Sequence, residues 1–162
     1  MKLTHLDNQG RARMVDVSHK PVQLRRAAAE GRLVVSPETI HLVRDSALPK
    51  GAPLEAARLA GIQAAKSTSR LIPLCHDLNL DHIDVDIQLE KAAFAIRSDV
   101  TCRRTTGVEM EALTAVAVAA LTLYDMCKAV DSGMSIEAIR LVSKEKKDLI
   151  KTPALHQEHL DH

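Results

Sequence analysis

Hydrophobic and polar residues alternate along two consecutive segments near the middle of the chain, Ile83–Leu89 and Phe94–Val100. A period of two residues is typical of a strand with one solvent-facing side, and the short turn between the segments predicts an antiparallel hairpin. Shorter apolar stretches predict three further strands, at Met14–Ser18, Arg32–Val35 and Ile136–Val142.

Helical patterns lie between the predicted strands. Lys20–Glu30 carries its apolar residues on one side and is followed by a glycine, which predicts a helix that ends there. Ser36 precedes proline and glutamate, so its hydroxyl is a predicted N-cap for a segment that runs to a turn around Lys50. Leu54–Lys66 is alanine-rich and helical, and Gly107–Val130 is predicted to be the longest helix.

The order of these elements favours an α+β fold in which helices pack on one face of an antiparallel sheet. Within the longest helix, Ala112–Leu123 is apolar around nearly its whole circumference. A helix on the surface of a monomer normally has a polar face, so this helix is expected to be covered on both sides. In a small domain the second cover has to come from another subunit, usually with closed symmetry.

The length of 162 residues predicts one domain, 1–162, with a polar C-terminal tail from about residue 145. The formal net charge is +1, from 22 basic and 21 acidic residues, so no overall field favours nucleic acid or an anionic membrane. With one Phe, one Tyr and no Trp, the chain also lacks aromatic platforms for stacking single-stranded nucleic acid.

The N-terminus and the cysteines bear on localisation. The first fifteen residues contain no apolar signal-peptide core, and the longest uncharged run, Ala112–Tyr124, is too short to span a bilayer. Cys75, Cys102 and Cys127 form no CxxC pair, which fits a reducing compartment. We therefore expect a cytoplasmic protein without a membrane partner.

Several ionisable side chains lie inside apolar segments, in LIPLCH at Leu71–His76 and along Gly107–Val130. Pro73 predicts that LIPLCH forms a loop after a helix. Burying a charged group is costly unless a partner compensates it, so such residues are candidates for a functional site. The candidates are His76, Glu109, Glu111, Asp125 and Lys128, with surface charge on one helix as the alternative.

Spacing limits how these candidates act together. Glu111 and Asp125 differ by about 40° around a helix but by about 21 Å along it, so one chain is not expected to bring both to one reacting atom. Asp125 and Lys128 are neighbours that form either an acid–base pair or an ordinary surface salt bridge. Glu109 and Glu111 either interact favourably with the helix N-terminus or accept hydrogen bonds from a guanine-like or pterin-like ring edge.

Two further segments carry polar clusters. Cys75–Asp86 is rich in potential metal ligands but lacks the regular spacing of a closed zinc site, so no metal is predicted; a divalent-metal hydrolase is the alternative. Arg103–Gly107 precedes the longest helix, where arginines beside exposed helix N–H groups could hold phosphate oxygens.

Six sequence blocks occur in order between about residues 3 and 144, nearly the whole chain. They are MVDVS at Met14–Ser18, KG at Lys50–Gly51, AGIQAAK at Ala60–Lys66, LIPLCH, TGVEMEALTA at Thr106–Ala115 and ALTLYDMCKAV at Ala120–Val130. Together they closely resemble the family of cyclic pyranopterin monophosphate synthase, also called molybdenum cofactor biosynthesis protein C. The resemblance implies ferredoxin-like α+β subunits assembled as hexamers, trimers of dimers, with active sites between subunits.

The reaction implied by the resemblance is that of a lyase. Its substrate is a cyclised dihydro-GTP, (8S)-3',8-cyclo-7,8-dihydroguanosine 5'-triphosphate, and its products are cyclic pyranopterin monophosphate and pyrophosphate. No resident metal or cofactor is implied, and it is open whether magnesium accompanies the triphosphate. A non-catalytic nucleotide-binding paralogue of the same fold is the alternative.

The family's functional positions fall on residues of the expected type in this sequence. Lys128 and Lys50 are expected to transfer protons, with pKa values lowered by neighbouring cations, and Asp125 is expected to orient or charge-balance Lys128. His76 and Lys144 are expected to stabilise phosphate oxygens. The resemblance also implies a functional role for Glu109. The substrate-contact residues that it implies are Leu74, Cys75, Met110 and Glu111, together with His76.

Three places depart from the family's pattern. Asp77 replaces a proline that usually follows LCH, which changes the stiffness of the loop and brings negative charge beside a phosphate site. Arg103–Gly107 is shorter than the usual loop and lacks its lysine. Lys144–Asp148 replaces a glycine-rich ending, and it is open whether Lys147 takes the place of that ending's second lysine.

Overall fold

A four-stranded antiparallel sheet with helices packed against it forms the fold, which the computed structural model describes for residues 5, 7 and 9–149. The elements in chain order are β1 (Gln23–Val34), α1 (Pro37–Arg44), α2 (Pro53–Lys66), α3 (Thr68–Leu71), β2 (His82–Leu89), β3 (Ala93–Arg104), α4 (Glu109–Cys127) and β4 (Ser135–Asp148). The strand order is β2-β3-β1-β4. This arrangement confirms the predicted α+β sandwich, and its β-α-β-β-α-β order is that of ferredoxin-like folds.

The predicted hairpin is confirmed as β2 and β3, which pair from His82 opposite Thr101 to Leu89 opposite Phe94. The side chains of Val85 and Ile87 are buried, as the alternation predicts for the face that meets the helices. Helix α2 contacts β2 and runs beside α4, whereas α4 lies across β1, β3 and β4.

The predicted helix at Lys20–Glu30 is wrong, because from Gln23 onwards this segment is the central strand β1. It pairs along its length with β3 on one side and β4 on the other. Its alanines and Gly31 leave room for α4, since a Cβ at Gly31 would lie 2.8 Å from Cγ1 of Val116. Alanine favours helices in isolation, but here close packing against α4 outweighs that propensity.

Two other strand predictions also need correction, one because no strand forms and one because the strand ends later than predicted. Residues 13–17 form no strand, although the Met14–Ser18 block predicted one. Strand β4 runs to Asp148, six residues past Val142, so the predicted polar tail from about residue 145 begins inside a strand. Because β4 is an edge strand with most side chains exposed, its polar end shows no alternation of burial. The rest of that tail, 150–162, lies outside the described residues.

The predicted start of α1 and the turn around Lys50 are confirmed, but the prediction that the helical segment runs as far as that turn is wrong. Ser36 caps α1 by accepting a hydrogen bond from the Thr39 N–H at 3.2 Å. The helix itself ends at Arg44, and the chain then turns through Ser46, whose φ is 54°, before Lys50.

Helix α4 is buried on one side only within a subunit. Val116 is fully buried against Gly31 of the sheet, and Ala115 and Ala119 are fully buried against Gly61 of α2, but Leu121 on the outer side is 58% exposed. By length and composition α4 could also cross a membrane, although the core helices of many globular proteins meet the same test, and half of this helix is buried in the fold. Cover of its outer side by a second subunit remains a prediction.

Candidate active site

A cavity of about 470 Å³ lies at the N-terminal end of α4. Its wall contains six predicted site residues, which come from the loop after α3 and from the first turn of α4: Leu74, Cys75, His76, Glu109, Met110 and Glu111. Val15, Val17 and Lys20 from the segment before β1 also line the cavity. Residues distant in sequence therefore converge on one cavity, as the predicted site requires.

The ring of His76 is fixed by a hydrogen bond across this cavity wall. Its Nε2 lies 2.9 Å from the carbonyl oxygen of Val15. Since a carbonyl only accepts, Nε2 carries the proton in this arrangement, and Nδ1 is the nitrogen able to take up another. Asp77 does not line the cavity; its Oδ1 instead accepts a hydrogen bond from the Ser69 hydroxyl at 3.1 Å, which ties the loop to α3.

Glu111 is a buried carboxyl group, with 4% of its surface exposed. Its pKa is raised to about 7, chiefly because burial disfavours the charged form; a hydrogen bond from its own backbone opposes this shift, and the nearby negative charge of Glu109 adds a smaller increase. At neutral pH the group therefore populates both protonation states, so it can accept hydrogen bonds as a carboxylate or donate one as an acid.

Replacing Glu111 by glutamine is expected to stabilise the protein increasingly as pH rises from about 4.5 to about 7. In this window the carboxyl ionises in the unfolded chain but stays protonated in the folded one, whose pKa is raised to about 7, so the wild type loses stability with rising pH. The full difference above that window is about 3 kcal/mol. Denaturant unfolding of both proteins at pH 4, 6 and 8 measures it, and a constant difference across the three would contradict the buried-carboxyl account.

Glu109 folds back over the start of α4. A Cβ at Gly107 would lie 2.0 Å from Oε2 of Glu109, so any larger residue there would require the Glu109 carboxylate to move. The other oxygen, Oε1, is 3.6 Å from Nζ of Lys144. A second cavity of about 330 Å³ adjoins the first, because both are lined by Gly107 and Glu109.

This second cavity is basic and contains two residues that sequence analysis missed. Arg25 and Lys146 line it together with Lys144. The Nη2 of Arg25 donates to the Thr105 carbonyl at 3.3 Å, while its Nε is buried without a partner among the described residues. A fourth basic residue, Arg26, also lines the cavity but is paired with Asp99, and the carboxylates of Glu109 and Glu145 complete the lining. The other three cations around one opening form a favourable place for phosphate oxygens.

The pairing of β1 with β4 explains why these residues were missed. Arg25 stands opposite Lys146, and Ala27 opposite Lys144, so the three basic side chains share one face of the sheet. Lys147 is on the other face, with its Nζ 3.3 Å from Glu145, and does not line this cavity. Only the strand register, which the predicted helix at Lys20–Glu30 concealed, could have revealed the cluster.

Arg103 is engaged elsewhere. Its guanidinium pairs with the Asp81 carboxylate at 3.0 Å beside the start of β2. The suggestion that it holds phosphate beside the first turn of α4 is therefore not supported by its position in the subunit.

The opposite end of α4 carries a second group of predicted residues. Asp125 accepts hydrogen bonds from Lys50 Nζ at 2.7 Å and from Lys128 Nζ at 2.6 Å. Lys50 also donates to the backbone carbonyl of Asp125 at 2.9 Å. The contact between Lys50 and Asp125 joins a turn to a helix 75 residues away, which distinguishes this group from an isolated pair within one helix.

The charges in this group shift the pKa of Lys128 in the direction opposite to the predicted one. The two lysines lower the pKa of Asp125 to about 2, with the Lys128 hydrogen bond as the larger cause. The Asp125 carboxylate in turn raises the pKa of Lys128. The predicted lowering of this lysine's pKa is therefore wrong for the single subunit, because its nearest charged neighbour is an anion.

The seven predicted functional positions thus form two groups. His76, Glu109, Glu111 and Lys144 lie at the start of α4, and Lys50, Asp125 and Lys128 lie at its end. The helix rise between Glu111 and Asp125 separates the groups by about 21 Å. One subunit does not bring all seven to a single small molecule.

Potential metal ligands are dispersed in the part of the chain that the structure describes. No group of three or more His, Cys, Asp or Glu side chains there could hold an ion. The expectation of a site without a resident metal stays a prediction.

Comparison with known proteins gives consistent matches over most of the chain. The MoaC family model matches residues 14–147. The cyclic pyranopterin monophosphate synthase of Chloroflexus aurantiacus is 58% identical over 145 residues, which cover 88% of this chain and 89% of that protein. The same-named protein of Parvibaculum lavamentivorans is 56% identical, with 88% and 91% covered. The molybdenum cofactor biosynthesis bifunctional protein of Chlorobaculum tepidum is 59% identical over 144 residues, and the chain spans 46% of its length.

Proposed function

The chain belongs to the MoaC family, and we propose that it is a cyclic pyranopterin monophosphate synthase of molybdenum cofactor biosynthesis. In this proposal it converts the cyclised dihydro-GTP to cyclic pyranopterin monophosphate and pyrophosphate. The observation that carries the proposal is the grouping of all seven functional positions at the two ends of α4, with a cavity at one end and a triad of Lys50, Asp125 and Lys128 at the other.

The cavities at the start of α4 suit a purine-derived triphosphate. Carboxylates such as Glu111 accept hydrogen bonds from ring N–H groups, which suits the guanine-derived part of the substrate. Lys144, Lys146 and Arg25 surround the neighbouring opening, where phosphate oxygens would meet charge-assisted donors. The volume of about 470 Å³ lies within the range of small-molecule sites.

The reaction requires proton transfer and charge stabilisation. Formation of the cyclic monophosphate joins a hydroxyl oxygen to the α-phosphorus, while the bond to pyrophosphate breaks and the hydroxyl proton passes to a base. Lys128 is held protonated by Asp125, so it is suited to donate a proton or to stabilise developing negative charge. To act as a base, it first has to lose its interaction with Asp125 or approach cations of another subunit.

A shared site between subunits follows from this geometry as part of the proposal. The two groups of residues are too far apart in one chain, and the outer side of α4 exposes apolar Leu121 and Met110. We propose a hexamer, a trimer of dimers, in which the start of one subunit's α4 and the end of another's face the same substrate.

Replacing Leu121 by glutamate is expected to reduce the assembly below six subunits, because a charge would then be buried against the partner. Light scattering of the wild type should give six times the subunit mass of 17.7 kDa. Leu59→Glu is the matched control, since Leu59 is 67% exposed on α2. An unchanged mass for the Leu121 variant would argue that this side of α4 is free.

The remaining parts of the proposal concern setting and cofactors. We propose that the protein acts in the cytoplasm on a small molecule, without nucleic acid or membrane partners. All three cysteines are unpaired in the structure, which supports a reducing compartment. We propose no metal or cofactor of its own, with any magnesium arriving on the triphosphate.

Turnover of the cyclised dihydro-GTP by the purified protein tests the function. We expect equal amounts of cyclic pyranopterin monophosphate and pyrophosphate, measured by mass spectrometry and by a pyrophosphate assay. Binding of the substrate without either product would contradict the lyase and identify a non-catalytic paralogue.

A further inference from the structure

Asp131 joins the end of α4, which carries Asp125, to α1, which precedes the turn that carries Lys50. It lies in the turn after α4, three residues beyond Lys128. Its Oδ2 accepts hydrogen bonds from the Ser36 N–H at 2.7 Å and from the Thr39 hydroxyl at 2.9 Å, both at the start of α1. Its Oδ1 accepts a third from the Gly133 N–H at 3.0 Å.

These bonds are more than the capping of a helix. Helix α1 already has its own cap, the Ser36 hydroxyl, so the carboxylate of Asp131 is a second acceptor brought from 95 residues away. Thr39 is almost fully buried, which makes the site of attachment part of the core. Although burial opposes ionisation, these hydrogen bonds lower the pKa of Asp131 overall, so it is charged at neutral pH.

The attachment closes a ring of contacts around the triad. Helix α1 begins at this attachment and ends at Arg44. The turn that follows is stabilised by two backbone hydrogen bonds, from the Ala47 N–H to the Leu42 carbonyl and from the Gly51 N–H to the Leu48 carbonyl. That turn presents Lys50, which returns to Asp125 on α4. The end of α4 is therefore bound to the α1 region at two places, one on each side of Lys128.

We propose that Asp131 is a positioning residue for the lyase reaction: by fixing α1 to the end of α4, it sets where Lys50 and Lys128 stand around Asp125. This inference rests on the proposed function, because the positions matter only if the triad takes part in turnover. Misplacing a catalytic group by about 1 Å can cost about 100-fold in rate.

The variants Asp131→Ala and Asp131→Asn test this proposal, with Asp45→Asn as the matched control at the other end of α1. Alanine removes all three acceptor bonds, whereas asparagine keeps the shape and one acceptor oxygen. We expect kcat to fall about 10- to 100-fold in the alanine variant with KM changed less than about threefold, and asparagine to restore most of the loss. The control should behave as the wild type.

A double-mutant cycle with Lys50→Ala separates positioning from simple loss of stability. If Asp131 acts through Lys50, its removal lowers kcat much less in the Lys50→Ala background than in the wild type. A kcat per folded protein within twofold of the wild type, or an equal loss in both backgrounds, would overturn the proposal.

Hydrogen exchange supplies a readout that does not need turnover. Amides of residues 45–52 should exchange faster in Asp131→Ala than in the wild type, and at the wild-type rate in Asp45→Asn. If the wild type shows no turnover but exchange is still faster in Asp131→Ala, the proposed function fails, whereas the coupling between Asp131 and the turn that carries Lys50 stands. Unchanged exchange would overturn the role of Asp131 whatever the turnover.

Discussion

Replacing Lys128 by alanine is expected to lower kcat for pyranopterin formation by about 10²- to 10⁴-fold, the usual contribution of a positioned proton donor. The ammonium group of Lys128 is 2.6 Å from Asp125 and its pKa is raised by that carboxylate, so it enters the reaction charged. Alanine removes both the proton and the positive charge. Steady-state kinetics with the cyclised dihydro-GTP, alongside direct measurement of substrate affinity, would separate the effect on chemistry from that on binding.

Two further lysine variants sharpen this prediction. Lys91→Ala, in the exposed turn between β2 and β3, should leave kcat unchanged. Lys128→Arg keeps the charge but holds its proton too tightly to transfer it, so it should remain strongly impaired. Recovery of activity by arginine would mean that Lys128 acts through charge alone, and a Lys128→Ala enzyme within threefold of the wild type would remove it from the mechanism.

The stability of the Lys128 variants should change little. The side chain is 56% exposed, and a solvent-screened surface ion pair of this kind contributes little to stability. A loss of activity can therefore be attributed to the chemistry, provided that the melting temperature stays close to that of the wild type.

Periodic patterns predicted the fold where each element has one buried face. The β2–β3 hairpin alternates because one face meets the helices, and α2 and α4 were found at nearly their observed bounds. Strand β1 was mistaken for a helix because its alanines pack beneath α4, a tertiary effect without a local signal. The end of β4 is exposed at the sheet edge, so its pattern gave no indication of a strand.

Site residues could be predicted from the sequence where an ionisable side chain lies within an apolar segment. His76 and Glu111 were found because ionisable groups occur within apolar segments, and the structure places both on one cavity. Arg25 and Lys146 were not found because their convergence depends on the β1–β4 register. The direction of the Lys128 pKa was predicted wrongly although the Asp125–Lys128 spacing was recognised, because neighbouring cations were given more weight than the adjacent carboxylate, which raises it.

Complementation between two inactive variants tests the shared site most directly. His76→Ala impairs the group at the start of α4, and Lys128→Ala impairs the group at its end. If the site takes one group from each of two subunits, some sites in a mixed assembly receive both groups intact. In a random equal mixture about a quarter of the sites do so, because each contributing subunit is intact with a probability of one half.

The measurement is the turnover rate of the assemblies formed by co-expressing the two variants in equal amounts, with the subunit ratio verified by native mass spectrometry. Each variant alone should be nearly inactive, and the mixed assembly should recover about a quarter of the wild-type rate. Mixed assemblies that stay as inactive as the single variants would show that every site is built within one subunit, and the account of a site shared across α4 would be wrong.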